Sequence, residues 1–343
     1  NRFRGSLFEY LRNQSLDAPN YFAPVFDGLK VKAPLRYNVF GGTLGGPIRR
    51  DRMFFFFSYE GSRRRDGSIR TFTVPSLLQR TGDFTETYNG RGIQVKMYDP
   101  ATSRSEDGSV IRDPFPANRI PASRMDPVAL KILPFYPLPN RPPDDLAGAN
   151  NFRANDVTAL TRDNYVIKID HSLNSYNKLS GRYLYNSDNV DGVSVFPNRA
   201  ADTAQDNRRH QQFWYGTWTH IFSPAILNEF RFTYANRINH AYSRGLGGGW
   251  PSKLGLKGVP DDAFPQFSAN GFTSLGAGTQ ERQQLPIQQY DILSLLSWVR
   301  GRHTFKFGGE IRPSMNYEIF RPSISGSFSF SRGFTGLPGN ANT

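Results

Sequence analysis

No cysteine occurs anywhere in the 343 residues, which excludes structural disulfides, thiolate zinc sites and dithiol redox chemistry. No run of about 18 apolar residues occurs either. With 38% hydrophobic residues and a mean hydropathy of −0.54, the chain is not a helical membrane protein. HExxH, a nucleophile elbow and a spaced carboxylate pair are all missing. The expectation is a protein that performs no chemistry, with no catalytic, cofactor-binding or metal-ligating residue to nominate and no cofactor. The initiator Met and a signal peptide are also missing. The chain starts within a strand pattern at Asn1 and stops in the loop-like GFTGLPGNANT, so it is expected to be an internal piece of a longer protein.

Aromatic residues, by contrast, are abundant: 28 Phe and 16 Tyr. Interfacial girdles of a membrane barrel are one physical reason for such an excess. Their placement is regular. In RYNVFGGTLGGPIRRDRMFFFFSYEG, at 36–61, Phe40, Leu44 and Ile48 share a parity with Gly42 and Gly46. After the polar turn at 49–52, Phe55, Phe57, Tyr59 and Gly61 share a parity, and Ser58, Glu60 and Ser62 take the other. Alternation of this kind marks a strand with different environments on its two sides. Phe54 and Phe56 break the pattern on the polar parity, where they are expected to pack against an interior plug.

The unit recurs. At 163–171, Tyr165, Ile167 and Ile169 oppose Asn164, Lys168 and Asp170, and after a turn at 172–177, Leu179, Gly181, Tyr183 and Tyr185 oppose Lys178, Ser180 and Arg182. A third hairpin turns at 223–226, with Phe230, Phe232 and Tyr234 against Glu229, Arg231, Thr233 and Arg237. A fourth turns at 300–303, with Trp298 and Tyr290 before it and Phe305 and Phe307 set against Lys306, Glu310 and Arg312 after it. With a first strand near 1–11, about nine strands of roughly ten residues are predicted, the length that crosses a bilayer at a slant. The turns are short. The other connections, near 12–35, 63–162, 187–208 and 243–286, are long and polar. This asymmetry belongs to an up-and-down barrel with tight periplasmic turns and long outer loops. A soluble sandwich seldom carries so long a structureless loop.

The fold class read here is all-β: part of a transmembrane antiparallel β-barrel, with residues 1–343 forming a fragment of one barrel domain. The segment 63–162 holds eleven prolines from Pro75 to Pro143, which forbid long regular elements. One short helix is predicted within 123–132, capped by Ser123 or Asp126 with Pro127 in its first turn. Glu60, Lys168, Asp170, Arg182, Glu229, Arg231, Lys306 and Glu310 fall on interior parity. They serve either a wet lumen in contact with a plug or a polar path for solute.

Other features have plain readings. His171, His210, His220, His240 and His303 stand singly at strand ends, without metal-ligand spacing. The stretch 187–192 resembles the start of a calcium loop, but Ser187 and Asn198 occupy the positions that need carboxylates, so Asp188–Asp191 reads as an Asx-rich turn. The glycine run 245–249 before Trp250 is not a phosphate loop and is expected to let an outer loop move. The net charge of +13 admits a nucleic-acid binder, but no recognition module accompanies it. Attraction to an anionic outer leaflet or solute is the better reading, with no nucleic-acid partner.

Several segments together resemble Oar-like TonB-dependent outer-membrane receptors: NRFRGSLFEYLRN at 1–13, FGGTLGGPI at 40–48, MFFFFSYEGSR at 53–63, TVPSLLQRTGDF at 73–84, YDPAT at 98–102, PFPANRIPASRMDPVALKILPFYPLPN at 114–140, FSPAILNEFRFTYAN at 222–236 and HTFKFGGEIR at 303–312. The resemblance implies a plugged barrel of about 22 strands, energised by TonB, in the bacterial outer membrane. Its implied partners are outer-membrane lipid and lipopolysaccharide, its own plug domain, the TonB complex and an extracellular solute. Two alternatives from other classes are a structural or adhesive surface protein and a secreted soluble β-sandwich binding module.

Overall fold

The computed structural model describes residues 2–337 apart from positions 24, 27, 31, 277, 279 and 280. Nine long strands lie side by side in chain order, each antiparallel to the next. They are β1 Arg4–Asn13, β2 Leu35–Arg49, β3 Met53–Phe72, β4 Phe152–Ser172, β5 Asn177–Asp191, β6 Gln205–Ser223, β7 Ile226–Ser243, β8 Arg282–Arg300 and β9 His303–Ile311. Past Ile311 the chain stays on β8 through two short pieces, Ser314–Asn316 and Ile319–Arg321. Pro313, which has no N–H to give the ladder, stands at the break. The sheet does not close: β1 and β9 are its edges.

The four tight turns fall where alternation predicts them, between β2 and β3, β4 and β5, β6 and β7, and β8 and β9. All four therefore share one end of the sheet. At the first, the Arg52 N–H donates to the Arg49 carbonyl at 3.1 Å, with Asp51 at φ 62°. At the second, the Asn174 side-chain oxygen accepts from the N–H groups of Tyr176 and Asn177 at 2.9 and 2.8 Å. Glycine in β2 has a packing reason. A Cβ on Gly42 would lie 2.6 Å from the Leu7 side chain, and one on Gly46 2.3 Å from the Phe3 ring.

The strands are longer than expected. β3 has 20 residues and β4 has 21, about twice the length needed to cross a bilayer. The long connections accordingly begin later, at 73–151, 192–204 and 244–281 rather than at 63–162, 187–208 and 243–286. The alternation of greasy and polar residues stops near Ser62, yet the ladder continues. Arg63, Arg64 and Arg65 pair with Thr161, Leu160 and Ala159, and Arg63 forms an ion pair with Asp163 at 2.7 Å. Where both faces of a strand meet water, nothing enforces alternation, so the pattern goes silent although the strand persists.

The strand extensions carry a cap. Its apolar cluster joins Val74, Tyr136, Phe152, Val195, Phe196, Ala201, Leu254, Phe264, Phe267 and Leu275, drawn mainly from three separate connections. Phe196, Phe264 and Leu275 are fully buried, each worth about 1.5–3 kcal/mol in removed apolar surface. Polar ties hold the pieces. The Asn151 side chain brackets the Val74 backbone at 2.8 and 2.9 Å, closing the base of the 73–151 connection. The Arg80 guanidinium reaches the carbonyls of Pro75, Leu133, Tyr136 and Pro137. Arg244 is buried against Asp202 at 3.1 Å and Asp206 at 2.8 Å. Burial works against its charge, and the carboxylates more than offset this, so its pKa is raised. The predicted helix is α1 Pro127–Ile132, capped by Asp126 through the N–H groups of Val128 and Ala129.

One expectation needs correcting. Ser187–Asp191 is not a turn but the end of β5. Asp188 pairs with Arg162 on one face and Asp191 with Arg208 on the other, so the two carboxylates diverge and do not frame a cation. In the glycine run 245–249, a Cβ on Gly245 would lie 2.7 Å from the Ala200 carbonyl, whereas Gly247 has a positive φ and open space, and Trp250 stacks edge-on against Phe135 and Phe264.

Candidate functional site

Strand register decides which side chains share a face. On one face, Leu44, Phe57, Ile167, Tyr183, Trp214, Tyr234 and Tyr290 form a single row from β2 to β8. The next row runs Phe55, Ile169, Gly181, Gly216, Phe232, Ile292 and Ile311. Rings meet across strands: Tyr59 and Tyr165 at 4.9 Å, Tyr183 and Trp214 at 4.3 Å, Tyr234 and Tyr290 at 4.9 Å, Trp298 and Phe305 at 5.5 Å. All of the aromatics assigned from parity to the outer wall, Phe55, Phe57, Tyr59, Tyr183, Tyr185, Phe230, Phe232, Tyr234, Tyr290 and Trp298, lie on this face. Many stay substantially exposed, Phe57 and Phe232 among them, because none of the described residues covers them.

The opposite face is polar and hollowed. One row runs Phe56, Lys168, Arg182, Tyr215, Thr233 and Asp291. The row beside it runs Phe54, Asp170, Ser180, Thr217, Arg231, Leu293 and Glu310. Apart from Phe54, Phe56 and Asp170, the members of these rows line a concavity of about 470 Å³ that draws on β4 to β9 and on Arg312 just beyond. A flat sheet does not gather six strands around one hollow, so the polar side is the inside of the curve. Charges here are matched locally. Lys168 meets Asp170 at 2.7 Å, and Asp170 accepts from Ser180 at 2.7 Å. Arg182 lies over the Tyr215 ring at 4.5 Å, Arg231 pairs with Glu229, and Arg312 bridges Glu310 and Asp291. Such a surface stays wetted and offers alternating donors and acceptors to a polar solute.

Of the eight charges placed on interior parity, Lys168, Arg182, Arg231 and Glu310 line this hollow, and Asp170 and Glu229 join it through ion pairs to Lys168 and Arg231. Glu60 lies two rows nearer the cap, and Lys306 two rows nearer the turns, opposite Ser297. Parity reading missed Asp291, Tyr215 and Thr217. In β6 it had no purchase, since Phe213 and Tyr215 face one way while Trp214 and Trp218 face the other. The histidines differ from expectation in part. His210 and His240 lie inside long strands, and His210 Nδ1 sits 3.1 Å from the Tyr185 hydroxyl. Among the described residues, no three His, Asp or Glu side chains are grouped to hold a metal ion.

The family model that matches, over residues 1–343, is that of the outer membrane beta barrel domain. No curated protein and no solved structure matches the chain. The chain belongs to the outer membrane β-barrel domain family, and its place is the bacterial outer membrane. The apolar face is then the lipid-facing wall, the polar hollow is the lumen side, and the secreted β-sandwich reading falls, since there is one large sheet rather than two stacked ones.

Proposed function

We propose that this outer-membrane barrel chain is part of a TonB-dependent receptor that binds a bulky extracellular solute and passes it inward, without chemistry of its own. The observation that supports this most is the polar track from Lys168 to Arg312, continuous over six strands on the concave face. An extended wetted surface on the lumen side suits the passage of a polar solute, although a polar interior is general to such barrels. Support also comes from the ordered resemblance of its motifs to Oar-like receptors. Open edges at β1 and β9 cannot face lipid with unpaired backbone groups, so further strands are expected to complete the wall, with a plug against Phe54 and Phe56. Full-length protein, purified in detergent, is titrated with the purified periplasmic domain of TonB from the same bacterium. Saturable binding supports the reading. A folded protein that does not bind would favour the rival role, a surface or adhesive protein whose cap is the working part. That rival has its own supporting observation in the water-excluded cap core.

A further inference from the structure

The outward wall carries an unmatched basic site just above its apolar belt. A slanted strand crosses the hydrocarbon layer in about ten residues. Counting from Met53 at the turn, β3 leaves that layer near Arg63, and Arg65 stands at headgroup height. Arg63 and Arg65 share the parity of Phe57 and Tyr59 and so face outward. In the register, Arg65 lies directly opposite Arg36 of β2. Like charges directly across a ladder repel. Among the described residues no ion pair relieves them. Asp163 is committed to Arg63 at 2.7 Å and to the Tyr59 hydroxyl at 2.7 Å. Asp191, in the row of Arg65, is committed to Arg208, and Glu9 faces the same way opposite Phe40, two rows nearer the turns than Arg36. Asp66 points to the other face and pairs with Arg64. Both Arg36 and Arg65 are exposed, and neither makes an ion pair among the described residues. One edge of the Arg65 guanidinium is fixed by the Arg64 and Leu160 carbonyls at 3.0 and 3.3 Å, which holds the group in place with its remaining donors free.

We infer that Arg36 and Arg65, with Arg63 beneath them, bind a phosphate of the lipid A headgroup of lipopolysaccharide in the outer leaflet. The inference rests on the membrane-wall assignment and names the lipid partner of that wall. Guanidinium pairs suit phosphate oxygens through charge-assisted, bidentate hydrogen bonds. The height and outward direction select a membrane lipid over a solute in the lumen. Phe40 lies two rows below Arg36 and Tyr59 three rows below Arg65, at the depth of the sugar and acyl junction, with Arg63 already stacked over Phe40 at 5.5 Å.

The test uses full-length protein in nanodiscs, with native mass spectrometry to count retained lipid. The probes are bisphosphoryl lipid A and its dephosphorylated form. The paired variant Arg36→Gln/Arg65→Gln is compared with Arg50→Gln/Arg52→Gln, which removes the same charge at the opposite end of the sheet. Retention of bisphosphoryl lipid A is expected to fall about tenfold in the first variant and to stay at wild-type level in the second. Dephosphorylated lipid A should not distinguish wild type from Arg36→Gln/Arg65→Gln. Equal retention by both variants overturns the site, and so does full displacement of the lipid by millimolar inorganic phosphate, which would indicate a soluble anion. Failure of the wild-type protein to insert into nanodiscs would instead overturn the wall assignment on which the site rests.

Discussion

Phe264 and Phe232 mark the two halves of this molecule. Phe264 is wholly buried in the cap, ringed by Phe135, Trp250 and Phe267. Phe232 sits mid-wall on β7, more than a third exposed. Of the buried apolar residues, only Phe152, Ala235 and Ala241 belong to the nine long strands. The cap therefore has a water-excluded core of its own, and the sheet leaves its apolar side for lipid. The same residue type does different work: in the cap it holds loops to one another, and on the sheet it sets the height of the chain in a bilayer. Charges follow the same division. Buried pairs such as Arg244 with Asp202 knit the cap, while exposed pairs on the polar face keep a surface wet, where each adds about 0–1 kcal/mol.

Substituting the two phenylalanines breaks the comparison most sharply. Phe264→Ala should cost the cap about 3–5 kcal/mol, seen as faster proteolysis of 73–151 and 244–281 with the sheet's heat-modifiable migration unchanged. Phe232→Ala should leave cap proteolysis as it was. Loss of the wall along with the cap in Phe264→Ala would show that the two halves are not separable.

A pH change sharpens it further. Glu281 is fully buried in the cap, with one carboxylate oxygen lacking a hydrogen-bond partner among the described residues and the other accepting from the Ile324 N–H. Burial raises its pKa from 4.5 to about 7, and the Asp262 charge adds to this, against the N–H groups of Ile324 and Ser325. The folded cap then holds a proton that the unfolded chain has lost between these values. The contribution of Glu281 to cap stability is full below about 4.5, falls as pH rises, and is gone above about 7, roughly 3 kcal/mol in all. Once corrected for the intrinsic rise of amide exchange with pH, protection in the cap should fall over that window, and Glu281→Gln should flatten the dependence while the protection of wall amides shows no such trend. An unchanged pH dependence in Glu281→Gln would assign it to another group.

On the wall, Phe232→Arg should cost about 2–4 kcal/mol near the bilayer midplane and less near an interface. Its neighbour Arg231→Ala, facing the wet hollow, should be milder. Folding yield of intact protein in lipid compares them, and equal effects would mean that β7 has been assigned the wrong way round.

The two halves were also unequally legible. Four hairpins and their turns could be read because lipid on one side and water on the other impose period two, and the aromatic wall follows directly from it. The cap could not be read this way. Val74, Phe196, Phe264 and Leu275 share no period and meet only through contacts between distant connections, so nothing local marks them as a core. The same reason hid the strand extensions beyond Ser62 and let 187–191 pass for a turn. The track was half legible: Lys168, Arg182 and Arg231 stood on clean alternation, while Tyr215 was masked by ring residues on both faces of β6 and Asp291 lay on a strand whose parity was only partly read.

No cysteine occurs in residues 1–343, so single-cysteine labelling of intact cells tests most directly whether the turn end of the sheet faces the periplasm and the cap lies outside. Val110→Cys in the cap and Leu173→Cys in the turn between β4 and β5 both replace exposed residues. A membrane-impermeant maleimide should label position 110 on whole cells and reach position 173 only after the outer membrane is breached. Equal labelling of both positions on intact cells would contradict the account.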